Sequence, residues 1–106
     1  MAQNQQNIKE MMAKLRANFR GQLLDKLLTI EDASVRLAQS PHDSVALARV
    51  KRECHKLSGV ARSLGFSKIG DVATDIDCAI SKETASWSEL QPTVERLLDM
   101  MEAELD

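Results

Sequence analysis

Apolar residues return every three or four positions through almost the whole of this 106-residue chain. That spacing lines them up on one face of an α-helix and scatters them over both faces of a β-strand. Ile8, Met11, Met12, Leu15 and Phe19 hold the i, i+3, i+4, i+7 and i+11 positions, and the pattern runs on through Leu23, Leu24, Leu27, Leu28, Ile30 and Leu37. Breakers are scarce. Four Gly and two Pro are too few for an all-β chain, which needs a turn every ~8–12 residues. Ser40-Pro41-His42-Asp43 stops the first stretch, because the residue before a proline is pushed out of the α region, and Asp43 or Ser44 can cap a second helix. Gly21 leaves open whether residues 8–39 are one helix or two, since a single mid-helix glycine costs only about 1 kcal/mol.

The next helix is expected from Ser44 to Leu64, with Leu47, Val50, Cys54, Leu57, Ala61 and Leu64 on one stripe and Gly65 as its C-terminal glycine. Ser67 can cap a further helix striped by Ile69, Val72, Ala73, Ile76, Ala79 and Ile80. Residues 81–88 read as a polar loop. Ser86 with Glu89, or Ser88 with Gln91, makes a capping box for a last helix that carries Leu90, Val94, Leu97, Leu98, Met101 and Leu105. Pro92 is tolerable there because it falls in or just after the first turn. Single apolar faces joined by short connections imply an all-α antiparallel four-helix bundle with an additional N-terminal helix or extension. Residues 1–106 are expected to form one domain, with residues 1–6 disordered.

Composition removes several function classes. The net charge is −2, and Phe19, Phe66 and Trp87 are the three aromatics, so neither a phosphate-binding charge excess nor a base-stacking platform exists for nucleic acid. No apolar run approaches the ~20 residues of a transmembrane helix. The N-terminus lacks the charged start and apolar stretch of a secretory signal. Residues 8–24 are amphipathic and lean basic, and the apolar phase they share with the next segment reads as a packed helix, not a membrane-surface one. Cys54 and Cys78 fall on helical patterns without a CxxC pairing, and are expected to be reduced core thiols of a cytoplasmic protein. The five methionines read as terminal or core-packing residues. The acidic last helix reads as a solvated face.

One position asks for an explanation. On the helix over 44–64, His55 lies roughly 130° from the centre of the apolar stripe and so faces solvent. Gly59 stands on the same face one turn later. Side chains lean toward a helix N-terminus, so any side chain at position 59 would cover the imidazole at 55. Ala48, one heptad earlier, is also small. Lys51, Arg52 and Arg62 surround the spot, with Lys56 at its edge. An exposed imidazole in a bare patch with a basic rim suits the holding of a phosphoryl group, because neutral imidazole offers a nucleophilic nitrogen near pH 7 and the cations balance phosphate charge. The same residues also fit an ordinary surface histidine, with Gly59 admitting a helix neighbour. His42, beside Pro41, reads as a loop residue.

The segment His55-Lys56-Leu57-Ser58-Gly59-Val60-Ala61-Arg62-Ser63-Leu64-Gly65-Phe66 resembles the signature of histidine-containing phosphotransfer (HPt) domains, in which His-x-Leu-Lys-Gly leads into a small-residue run ending Leu-Gly. The resemblance extends loosely through Ile69 to Asp77 and, upstream, over Leu23 to Gln39. It implies a four-helix bundle in which His55 takes phosphate from a receiver-domain aspartyl phosphate, or from a hybrid histidine kinase, and passes it to another receiver aspartate in a two-component phosphorelay. Such a module is a carrier without an active site of its own and without a cofactor, Mg2+ being expected only in the receiver partner. Gly59 maps onto the family glycine that lets the receiver approach. The family usually has Lys three residues after the His, and here Ser58 stands there. Ser58, Lys56 and Arg62 become the candidate phosphate contacts, and Val60 the candidate apolar contact to the partner.

Rival readings differ in the residues they need. A histidine kinase would place an acidic residue after the His and a Pro soon after, and would need a nucleotide-binding domain; Lys56 follows here. A metal site would need converging ligands, whereas Glu53 and Cys54 each diverge from His55 on the helix. The alternative that remains is a non-catalytic helical-bundle interaction or dimerisation module, whose seam could be the long stripe from Ile8 to Leu37. A monomer is expected over a dimer.

Overall fold

The Ser40-Pro41 break and the two later breaks divide the chain as their chemistry requires. The computed structural model describes residues 2–105, without the side chains of residues 2–4. They form α1 (Ala2–Gln39), α2 (Ser44–Ser63), α3 (Ser67–Ser81) and α4 (Trp87–Leu105). Each helix packs on two others, α1 and α3 both lying against α2 and α4, so the four make a closed bundle. Asp43 caps α2 by accepting from the backbone N–H groups of Val45 and Ala46. Gly65, at φ +91, ends it in the left-handed conformation that favours glycine. The Phe66 N–H reaches back to the Ala61 carbonyl at 2.8 Å, the long bond of a Schellman turn. Ser86 and Glu89 form the expected capping box, the Ser86 N–H donating to Glu89 Oε1 and the Glu89 N–H to Ser86 Oγ. The Ser86 N–H, and the Ser86 hydroxyl that donates to the same Oε1 at 3.0 Å, hold the Glu89 carboxyl below its ordinary pKa.

Gly21 does not break α1, which is one helix of 38 residues. At 1.5 Å per residue it is about 57 Å long, matching the longest dimension of the molecule, 55 Å. The next longest helix, α2, has 20 residues, so α1 outruns the bundle at its N-terminal end. The expected extension is therefore a continuation of α1. Residues 2–6, expected to be disordered, belong to that helix, because Gln and Ala propagate a helix that is already nucleated downstream; residue 1 lies outside the described residues.

Leu23, Ile30, Leu37, Val50, Leu57, Ile76, Val94, Leu97 and Met101 are fully buried between the four helices. Not every apolar residue of the α1 pattern joins them. Ile8, Met11 and Leu15 lie on the overhang, Leu24 and Leu28 on the outer side, and all five are exposed. Three further expectations are corrected by packing. Ser67 is the first residue of α3 and not its cap; Phe66 holds that position and makes no side-chain cap bond, its ring being stacked on Phe19 with centroids 5.2 Å apart. Trp87, assigned to a loop, opens α4 and is buried. Cys78 is exposed, since it lies off the Ile69, Val72, Ala73, Ile76 stripe that α3 buries.

Candidate functional site

His55 leaves α2 on the side turned away from the core, where the helical spacing put it, and its side chain is 77% exposed. α3 runs antiparallel beside α2 and brings Asp77 opposite the ring. Nδ1 of His55 and Oδ2 of Asp77 are 2.9 Å apart. An ionised carboxylate only accepts hydrogen bonds, so Nδ1 carries the proton and donates. In the neutral ring this leaves the lone pair on Nε2. Asp77 is only 16% exposed, and Ser81, one turn later on α3, donates to its other oxygen at 3.4 Å. The carboxylate is thus held from two sides while the ring it holds stands in solvent.

The ground around this pair is an open groove of about 500 Å³ lined by Ala48, Lys51, Arg52, His55, Lys56, Asp77 and Ser81. Ala48 supplies its low floor. Lys51, Arg52 and Lys56 form no ion pair among the described residues, so their charge is available to an anion at the imidazole. Gly59 is exposed one turn above, and a Cβ built there meets nothing within 4 Å. The space over the ring is open.

Three of the candidate residues stand elsewhere. The Ser58 hydroxyl donates to the His55 carbonyl at 2.7 Å, and the residue is half-buried toward α3, outside the groove. Arg62 projects from the same face as His55 but its guanidinium is turned along α3, with Nη2 2.7 Å from Asp71 Oδ1. Neither points at Nε2. Val60 is 47% exposed, and five residues beyond His55 it lies about 140° round the helix. It belongs to a different patch of surface.

Two neighbouring residues went unassigned in the sequence. Asp77 fell in the stretch of family resemblance without a role, and no local signal marks it as the partner of a residue 22 positions earlier. Gly70 sets the approach of the two helices: a Cβ there would come within 2.6 Å of Arg62 Cγ and 3.2 Å of the Ser58 carbonyl oxygen. Cys54, next to His55 in sequence, is buried in the core, and burial with the nearby Asp77 and Glu53 carboxylates pushes its thiol up to about 12. It is no nucleophile at neutral pH. Among the described residues no cluster of three metal-ligating side chains occurs.

Neither the curated proteins nor the solved structures include a match to this chain. The family model for the Hpt domain matches residues 5–106, a span that holds all four helix interfaces and the His55 groove. The chain belongs to the Hpt domain family.

Proposed function

We propose that this protein is a phosphoryl carrier of a two-component phosphorelay and that His55 is the residue that carries the group. The observation that supports it most strongly is an imidazole whose Nδ1–H is committed to Asp77 at 2.9 Å while its Nε2 faces an open, cationic groove. Nε2 attacks the phosphorus of an aspartyl phosphate on a receiver domain. The N–P bond forms as the acyl O–P bond breaks, and the receiver carboxylate leaves with its electron pair. The phosphorylated ring keeps its proton on Nδ1 and gains positive character, which the Asp77 carboxylate stabilises at short range. The reverse displacement delivers the group to a second receiver aspartate or returns it to a hybrid histidine kinase.

This chain supplies the nucleophile and its positioning. Mg2+ and the remaining catalytic groups belong to the receiver. Lys51, Arg52 and Lys56 steer the anionic partner and balance the phosphate. Ala48 and Gly59 admit the receiver surface to the ring. Ser58 and Arg62 act through the α2–α3 contact and not on the phosphate. A receiver docking at His55 covers α2 together with α3, the two helices that line the groove.

The test is transfer from an acetyl-phosphate-charged receiver to the parent chain and to His55→Gln. Acid-labile, base-stable label is expected on the parent and none on the variant. A parent that stays unlabelled by several receivers while fully helical would give the lead to the interaction-bundle reading.

A further inference from the structure

The His55 groove has a direction. Ala48, Lys51 and Arg52 precede His55 on α2, and Ser81 follows Asp77 on the antiparallel α3, so the groove runs from the ring toward the N-terminus of α2. Charge is shared out the same way. Lys51, Arg52 and Lys56 form no ion pair among the described residues, whereas Arg62, on the far side of the ring, is held by Asp71 at 2.7 Å. Asp75, exposed on α3 between Asp71 and Asp77, adds an acid on that far side. An anionic partner is drawn over the N-terminal half of α2.

Val45 stands at the end of that half. It is 67% exposed and is not among the side chains packed on the core. Val45, Ala48 and Arg52 fall within about 60° of arc on the outward face of α2, with Val45 about 80° round the helix from His55. Val60 is placed differently. It lies two turns beyond Glu53, which pairs with Lys26 of α1 at 3.5 Å, and so occupies the α1 flank. The Val45 N–H donates to Asp43 Oδ1 at 3.1 Å, and a β-branched side chain on a helix keeps one preferred rotamer. Val45 therefore loses little freedom when a partner covers it.

We infer that a receiver domain docks with its footprint extended from His55 toward the N-terminus of α2, and that Val45 is its apolar anchor. This polarity rests on the phosphotransfer reading, since the aspartyl phosphate that must reach Nε2 is what fixes the occupant of the face. Ten residues of helix set Val45 about 15 Å along α2 from His55. A standard interface covers about 800 Å² on each partner, a patch roughly 30 Å across, so one footprint holds both. Val45 gives the apolar contact, Lys51 and Arg52 meet the partner's negative charge, and Ala48 between them keeps the surface low.

Steady-state transfer from the acetyl-phosphate-charged receiver to the parent, Val45→Ala, Val45→Glu and Val60→Ala tests it. Val45→Ala is expected to raise KM about three- to tenfold with kcat unchanged, the effect of removing two methyl groups from a buried contact. Val45→Glu is expected to raise it more than about tenfold, since a buried carboxylate costs more than a lost methyl group. Val60→Ala is expected to keep both constants of the parent. Helicity should not change, because both positions face solvent and a carboxylate suits the first turn of a helix. A labelled parent whose KM ignores Val45→Glu, or rises as much for Val60→Ala as for Val45→Ala, keeps the carrier and overturns the footprint. So does a Val45 effect confined to kcat. A parent that takes no label overturns the carrier reading and the footprint with it.

Discussion

Asp77 and His55 divide their work by burial. The carboxylate is packed and held by Ser81, while the ring projects into solvent, so the rigid partner orients the mobile one. Replacing Asp77 by Ala removes the acceptor that keeps the proton on Nδ1. The expected result is transfer slowed by about tenfold, the lower end of what a hydrogen bond to a charged group contributes, because the ring is largely exposed. Nitrogen NMR of the imidazole checks the cause: the parent should show the Nδ1–H tautomer and Asp77→Ala a mixture, with helicity unchanged. A slowed variant with the parent's tautomer would assign Asp77 a different role. His55 could be found from one helix alone, since its angle to the apolar stripe is a local quantity. Asp77 could not, because its place opposite the ring depends on how far α3 slides along α2.

Gly59 and Gly70 show what a missing side chain does in two settings. Both sit within helices, where glycine costs about 0.8–1.0 kcal/mol relative to alanine. At Gly59 a methyl group enters empty space, whereas at Gly70 it strikes Arg62 Cγ and the backbone of α2. Gly59→Ala is therefore expected to raise stability by up to ~1 kcal/mol in urea unfolding and to slow transfer, since it covers the approach to the ring. Gly70→Ala is expected to lower stability by about 1–3 kcal/mol, as overpacking does, and to weaken the His55–Asp77 contact as the helices part. The open face at Gly59 followed from spacing on α2. The packing role of Gly70 carried no comparable signal, since α3 had to be docked before its neighbour was known.

At the scale of the molecule, α1 is both a wall of the bundle and a rod that leaves it. Its first contact with the rest of the fold is Met12, half-buried against the core, followed by Arg16, whose Nε donates to the Leu64 carbonyl at the end of α2 at 2.9 Å, and Phe19 on Phe66. Among the described residues, deleting 1–12 removes one half-buried side chain, Met12, and no core residue. The shortened chain is expected to unfold within about 1 kcal/mol of the parent, the range of changes away from core contacts, and to accept phosphate at the same rate. Urea unfolding and the receiver assay check both. The sequence by itself determined the helical class, the break at Ser40-Pro41, the caps at Asp43, Gly65 and Ser86, and the outward aim of His55. Each of these depends on residues within a few positions of one another, and backbone geometry alone relates them. Only the tertiary structure decided that α1 is unbroken, that half its apolar residues stay in water, that Arg62 turns to Asp71, and that Asp77 holds the imidazole. Those depend on which faces meet and at what register, and an apolar stripe states that a face will be buried without naming its partner.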